Sequence, residues 1–269
     1  MPEAIIDTHC HLDDLQYDKD RNRVLRDARS EGVVGVINPG NDLDTSRAAV
    51  ALAHQELDVF AGVGLHPDNA GPELNIEKAL AEIDGMASDA EVIALGEFGL
   101  DTKHSDDTLD RQKILVREQF GLAAKHGLPI ILHVRDHYDL MAKMVSKYGK
   151  GLPGVVHSFA GSPEDAQRML DLGLYIAIGG IITFEKGTKA LREATKSIPL
   201  ERLLIETDAP FLSPEPRRGK RNEPSEVATI ARFIADLRGI PYAELANATT
   251  TNARTLFSLP DAIQTESAA

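Results

Sequence analysis

Eight short runs of aliphatic and β-branched residues recur along the chain, and between them apolar residues return every three or four positions. The runs are AIIDTH (4–9), VVGVIN (33–38), VFAGVGL (59–65), VIALGE (92–97), PIILHV (129–134), GVVHSF (154–159), LYIAIG (174–179) and LLIETD (203–208). Runs apolar on both faces suit strands of a parallel sheet covered on both sides, and the helical periodicity between them supplies the crossovers. In segment 109–126, for example, Ile114, Leu115, Phe120, Leu122 and Ala123 fall on one helical face, and Gly127 stops the helix just before Pro129 opens the next strand. Eight such units in 269 residues predict an α/β fold, a (β/α)8 TIM barrel, for which about 250 residues is typical. A doubly wound open sheet is the alternative, but its first strand usually leads into a glycine-rich nucleotide loop. Here the first strand leads into THCHLDD, and no G-x-x-x-x-G-K-[ST] occurs anywhere. Residues 1–260 therefore read as one barrel domain and 261–269 as a polar tail that frays.

What ends these strands is chemically unusual. Strand one runs into Asp7, His9 and His11, strand three into His66, strand four into Glu97, strand five into His133, strand six into His157 and strand eight into Asp208. Barrel enzymes draw their reactive groups from the C-terminal ends of several strands, so these residues should converge. His9 and His11 share a strand face at i and i+2, which lets both imidazoles reach one ion while Cys10 faces elsewhere as a small strand residue. An isolated H-x-H can be structural, Asp208 can be a helix cap, and Glu97 can pair with an arginine such as Arg135. Five of the nine histidines nevertheless fall at strand ends, and two carboxylates follow strands that should be buried, where a charge needs a partner or a metal. Histidine with carboxylate suits zinc, manganese, iron or magnesium. His54, His104, His126 and His137 fall in helices or loops and read as solvated. No G-x-S-x-G and no H-E-x-x-H occurs, which removes two hydrolase templates.

Charge and cysteine content narrow the setting. A formal net charge of -13 disfavours broad adhesion to nucleic acid or anionic lipid, so a polyanion would need a local positive site. One cysteine forms no internal disulfide, the first residues lack the pattern of a signal peptide, and no uncharged run approaches the roughly 20 residues of a membrane span. A cytoplasmic protein without membrane association is expected.

The chain resembles the TatD family of metal-dependent deoxyribonucleases, within the amidohydrolase-like metal barrels. The resemblance rests on IDTHCHLD (6–13), VGLHP (63–67), LGEFGLD (95–101), PIILHVR (129–135), VVHSFAG (155–161), LLIETDAPFLSP (203–214) and RGKRNEP (218–224), in family order over nearly the whole chain. It implies two divalent ions, magnesium, manganese or zinc. One would be held by His9, His11, Glu97 and Asp208 and the other by Glu97, His133 and His157, with Glu97 bridging. His66 matches a further histidine near the metals, suited to substrate contact or catalysis. Two departures stand out: Thr102, Lys103 and His104 replace an aromatic that often follows GLD, and Ser158 replaces the cysteine of H-C-F. The implied activity is hydrolysis of phosphodiester bonds of DNA or another phosphate-bearing nucleic acid by metal-activated water, with Asp208 orienting the water or taking its proton. Phe159 and Phe211 would stack on bases or simply pack. The alternative is deacylation of D-aminoacyl-tRNA, or hydrolysis of another ester or amide, at the same centre. A binding protein that keeps the metal pocket without turnover is disfavoured by the intact set of ligands.

One feature stands apart from the strands. PEPRRGKRNEP (214–224) places Arg217, Arg218, Lys220 and Arg221 in the loop after strand eight, over the mouth of a barrel. Arg218, Lys220 and Arg221 are thus expected to hold substrate phosphate, the alternative being a solvated loop paired with Glu215 and Glu223.

Overall fold

In the computed structural model, which describes residues 2–103 and 106–260, all eight runs are strands of one parallel sheet in sequential order. They are β1 (Ile5–Asp7), β2 (Val33–Pro39), β3 (Val59–Val63), β4 (Val92–Leu100), β5 (Ile130–Val134), β6 (Gly154–His157), β7 (Tyr175–Ile178) and β8 (Leu203–Ile205). The helices that follow them are α1 (Arg21–Ser30), α2 (Leu43–Ala53), α3 (Ile76–Met86), α4 (Leu109–His126), α5 (Tyr138–Tyr148), α6 (Pro163–Leu170), α7 (Lys189–Ser197) and α8 (Val227–Arg238), with α9 (Tyr242–Phe257) added at the end. The sheet closes on itself beyond β8, where Thr8 N–H donates to Ile205 O at 3.2 Å, Asp208 N–H to His9 O at 2.8 Å and His11 N–H to Ala209 O at 2.7 Å. His104 and the expected tail at 261–269 lie outside the described residues.

Ile6, Ile37, Phe60, Ala94, Ile131, Val155, Ala177 and Leu204 form one buried cluster to which every strand contributes one side chain. This layer fills the barrel, and Leu256 and Phe257 of α9 join it, closing the end opposite the strand termini. A second and larger cluster lies between the strands and the ring of helices. Side chains two positions beyond the inner layer, such as His133 after Ile131 and His157 after Val155, point into the mouth by the period-two rule. In β4 a register shift between Leu95 and Phe98 breaks that rule and brings Glu97, three residues past Ala94, to the same side. Strand β3 approaches this bulge closely. A Cβ on Gly64 would lie 2.7 Å from the carbonyl carbon of Gly96, so only glycine fits.

The α4 face differs in part from the expected one. Its buried stripe is Gln112, Leu115, Val116, Gln119, Phe120 and Ala123, and Ile114 lies outside it at 40% exposure. The two glutamines belong to the stripe because they serve the strand ends. Gln119 Oε1 accepts the Leu65 N–H at 2.8 Å, and Gln112 brackets Asp101 through its N–H at 3.0 Å and its carbonyl at 2.7 Å. Gly127 ends α4 in the left-handed region, φ 68°, as the sequence predicts.

Candidate metal centre

At the open end of the barrel the strand-end residues meet around Glu97. Glu97 is buried, and its two carboxylate oxygens face different partners. Oε1 lies 2.7 Å from His157 Nε2, 2.8 Å from His133 Nδ1 and 3.4 Å from His66 Nε2. Oε2 lies 3.2 Å from His9 Nε2 and 3.8 Å from His11 Nε2. Asp208 Oδ1 completes the second side, 3.5 Å from His11 Nε2 and 3.9 Å from His9 Nε2. Three sets of donor atoms lie within 4.8 Å of one another: His9 with His11 and Glu97, His66 with Glu97 and His133, and His9 with His157 and Asp208. All six expected ligands are therefore in one place. His66 also sits among them rather than at the rim, and His157 is within reach of both sides.

These donors fit divalent ions. Four imidazoles, three of them buried, aim ring nitrogens at one another and at carboxylates, with His9 Nε2 and His11 Nε2 3.3 Å apart and His133 Nδ1 and His157 Nε2 3.0 Å apart. Nitrogens brought so close without a cation between them repel if both are protonated, whereas neutral nitrogen with carboxylate oxygen is the donor set of zinc, manganese and iron sites.

The histidines are oriented from behind. Asp101 Oδ2 faces His133 Nε2 at 3.1 Å, leaving Nδ1 for Glu97, and Glu206 Oε1 lies 3.5 Å from His157 Nδ1 while accepting the Ser158 N–H at 2.5 Å. Carboxylates behind metal-ligating histidines fix tautomer and ring direction. Neither residue stands out in the sequence alone. Glu206 stands two residues before Asp208, and its only signal in the sequence is a second carboxylate at the end of an apolar strand. Asp7 has a different role: fully buried, it accepts the Thr207 hydroxyl at 2.6 Å and the Thr207 N–H at 2.9 Å, strapping β1 to β8. Burial pushes its carboxyl up to about 8.

Proton affinities follow from this crowding. Burial would raise the Glu97 carboxyl, but the surrounding His157, His9, His66 and His133 outweigh it and hold it well below the usual range. Burial lowers His66 to about 4. It would lower His11 and His157 too, yet Asp208 and Glu97 bring His11 up to about 9, and Glu97 with Glu206 raises His157 well above its ordinary value.

The centre lies in a cleft of about 650 Å³. Phe211 flanks it at 48% exposure, its ring 6.0 Å from that of His11. Phe159 is buried and packs on Tyr138 at 5.2 Å, so of the two candidate stacking rings only Phe211 is available to a ligand. The basic run does not line the cleft. Arg221 is engaged by Asp20 at 2.7 Å and Glu223 at 2.9 Å and lies over the Tyr17 ring, Arg217 pairs with Glu226 at 2.9 Å, and Arg218 lies over Phe184 at 4.1 Å. Lys220 is exposed. The histidines expected to be solvated divide: His54 is half-exposed beside Asp89, whereas His126 is mostly buried against Asp84 and His137 faces the Thr102 hydroxyl at 2.8 Å.

Comparison with known proteins points the same way as the site. The model of the TatD related DNase family matches residues 6–258. An uncharacterized metal-dependent hydrolase of Bacillus subtilis is 39% identical over 256 residues, covering 95% of this chain and 99% of that protein. A Klebsiella pneumoniae protein named 3'-5' ssDNA/RNA exonuclease TatD is 35% identical over 261 residues, covering 95% of this chain and 98% of its own. Among solved structures, a TatD homolog from Escherichia coli K12 superposes with a TM-score of 0.89 at 34% identity, over 95% of this chain and 98% of that one.

Proposed function

Because this chain belongs to the TatD-related DNase family and is a metal-dependent hydrolase, we propose that it cleaves phosphodiester bonds of single-stranded nucleic acid, DNA foremost, at a centre of two divalent ions. The two-faced contact of Glu97 carries the reading. A single carboxylate whose Oε1 meets His133 and His157 and whose Oε2 meets His9 and His11 is arranged to bridge two ions. His9, His11 and Asp208 would hold one, and His133 and His157 the other, with His66 as a further donor near the second.

Bound there, the ions supply Lewis acidity toward the phosphoryl oxygens and lower the pKa of water at neutral pH. The residues supply placement. Asp208, partly open to the cleft, is the base that would orient the attacking water and receive its proton. Phe211 offers its exposed ring to a nucleobase. Asp101 and Glu206 keep His133 and His157 from rotating as charge develops.

The test is cleavage of a labelled single-stranded oligonucleotide with magnesium, manganese or zinc by the native protein and by Glu97→Ala. The variant should lose at least about a thousandfold in rate with its circular dichroism intact. Equal cleavage by the variant, or by chelator-treated protein, would reject the proposal.

A further inference from the structure

We propose that Arg135, seconded by Lys103, forms a subsite for a phosphate of the substrate next to the one being cleaved. The inference rests on the nuclease reading and moves phosphate recognition away from the basic run that the sequence favoured. Among the described residues, Arg135 and Lys103 are the only arginine or lysine side chains lining the cleft. Both are exposed, and neither side chain has a hydrogen bond or ion pair among the described residues. Arg217, Arg218 and Arg221, by contrast, are already met by carboxylates or rings and lie outside the cleft.

Backbone N–H bonds fix where both side chains start. The Arg135 N–H donates to Leu100 O at 2.9 Å, which extends the β4–β5 ladder one residue past β5. Asp136 then turns the chain through the left-handed region at φ 60°. Lys103 is held by its own N–H to Asp101 Oδ1 at 2.7 Å, and Asp101 is fixed in turn by Gln112. The guanidinium therefore starts two residues beyond His133, beside the metal centre but outside it.

Barrel order sets the direction. With strands arranged one to eight in a ring, the β4 and β5 ends lie across the mouth from β8, which carries Phe211. The cleft thus has an aromatic wall on one side, cations on the other and Glu97 between. A substrate with one phosphate at the centre and a base on Phe211 extends its next phosphate toward Arg135, whose planar fork suits bidentate contact. The class is an oligonucleotide with at least two phosphates, rather than a simple phosphodiester.

Binding to the metal-loaded protein separates the subsite from turnover. The probe is a fluorescein-labelled tetrathymidylate with cleavage-resistant phosphorothioate linkages, read by anisotropy. Arg135→Gln should raise Kd roughly tenfold, and Arg135→Gln with Lys103→Gln should make log Kd less steep in log salt by about one to two units. Arg26→Gln, an equal loss of charge on the outer face of α1, should leave both unchanged. A methylphosphonate probe, neutral at the flanking linkages, should bind native protein and Arg135→Gln alike. Native affinity in Arg135→Gln, no binding by the native protein, or a loss produced by Arg218→Gln with Lys220→Gln instead would overturn the subsite. If native protein binds in an Arg135-dependent way yet cleaves no phosphodiester, the subsite stands and the nuclease reading falls.

Discussion

Filling the proposed centre with divalent ions would expel protons, and the direction in which each histidine is shifted says from which groups. In the metal-free protein, burial disfavours the cationic form of every histidine there. For three of them the neighbouring carboxylates win: His11 is brought up to about 9, His157 is raised well above its ordinary value, and His133 is raised by Asp101 and Glu97. His9 and His66 go the other way, lowered by burial, and are neutral near neutrality. A coordinating imidazole must be neutral. Loading the proposed pair of ions near pH 7 would therefore release protons from His11 and His157, and from His133 to the extent that it is charged. Protons compete with the ions, so the overall affinity should fall by about a hundredfold or more for each unit of acidification below neutrality, with the His11 share of that dependence vanishing as pH rises past about 9. Titration calorimetry with manganese in buffers of different ionisation enthalpy reads the proton count directly. His157→Gln should lower it by about one. Heats that do not depend on the buffer, or an affinity flat across neutrality, would refute the reasoning.

Glu206→Gln leaves the shape behind His157 intact but removes the anion, so metal affinity should drop roughly 10- to 100-fold by the same calorimetry; an unchanged affinity would deny Glu206 its orienting role. Glu223 joins Arg23 and Arg221, each at 2.8–2.9 Å, and Glu223→Gln should cost about 1–2 kcal/mol in urea unfolding at neutral pH. Burial would raise the Glu223 carboxyl, but the two guanidinium groups hold it below its usual value. Its contribution is therefore full above the ordinary carboxylate range and lost as pH falls through the lowered value, so native protein and variant should converge on acidification; divergence would contradict the pairing. Ser158→Gly should raise the unfolding free energy by about 0.5–1 kcal/mol, because Ser158 sits at φ 44° and gives Glu206 only its backbone N–H, which glycine keeps. A fall in Tm would mean that the hydroxyl contributes more than the strain removes.

The barrel was legible because parallel strands buried on both faces leave unbroken apolar runs, and because polar residues have no reason to end such runs except in a shared mouth. That logic singles out His9, His11, Glu97, His133, His157 and Asp208, which the structure brings together. What is not legible depends on contacts between residues far apart in sequence. Arg221 reads as a free cation until Asp20, some two hundred residues earlier, is seen to hold it, and Arg23 reaches Glu223 over a similar separation. Arg135 had been weighed only as a partner for Glu97, and nothing local shows that its side chain is left to the cleft. Ile114 was assigned to the core because it is apolar, whereas the stripe that packs runs through Gln112 and Gln119, whose burial depends on backbone groups of other elements.

Strain is concentrated where the chemistry is placed. Five non-glycine residues among those described have positive φ, and four of them, Asp136, Ser158, Asp208 and Leu212, line the cleft. A strand that runs straight into its helix carries its end groups away from the axis, so a side chain aimed inward needs a sharp local turn. At Asp208 the turn is fixed by its N–H to His9 O, and it sets the carboxylate against His11. Aspartate tolerates this region at little cost; leucine does not, and Leu212 bears roughly 1 kcal/mol or more. It stays there because its carbonyl rests on Gly180, where a Cβ would meet Leu212 O at 2.1 Å, so the loops after β7 and β8 lock together. Any side chain at Gly180 would force that contact apart, free Leu212 to relax and swing Phe211 off the cleft wall. The close contact of Gly180 with Leu212 O therefore keeps the aromatic side of the cleft in position before any ligand arrives.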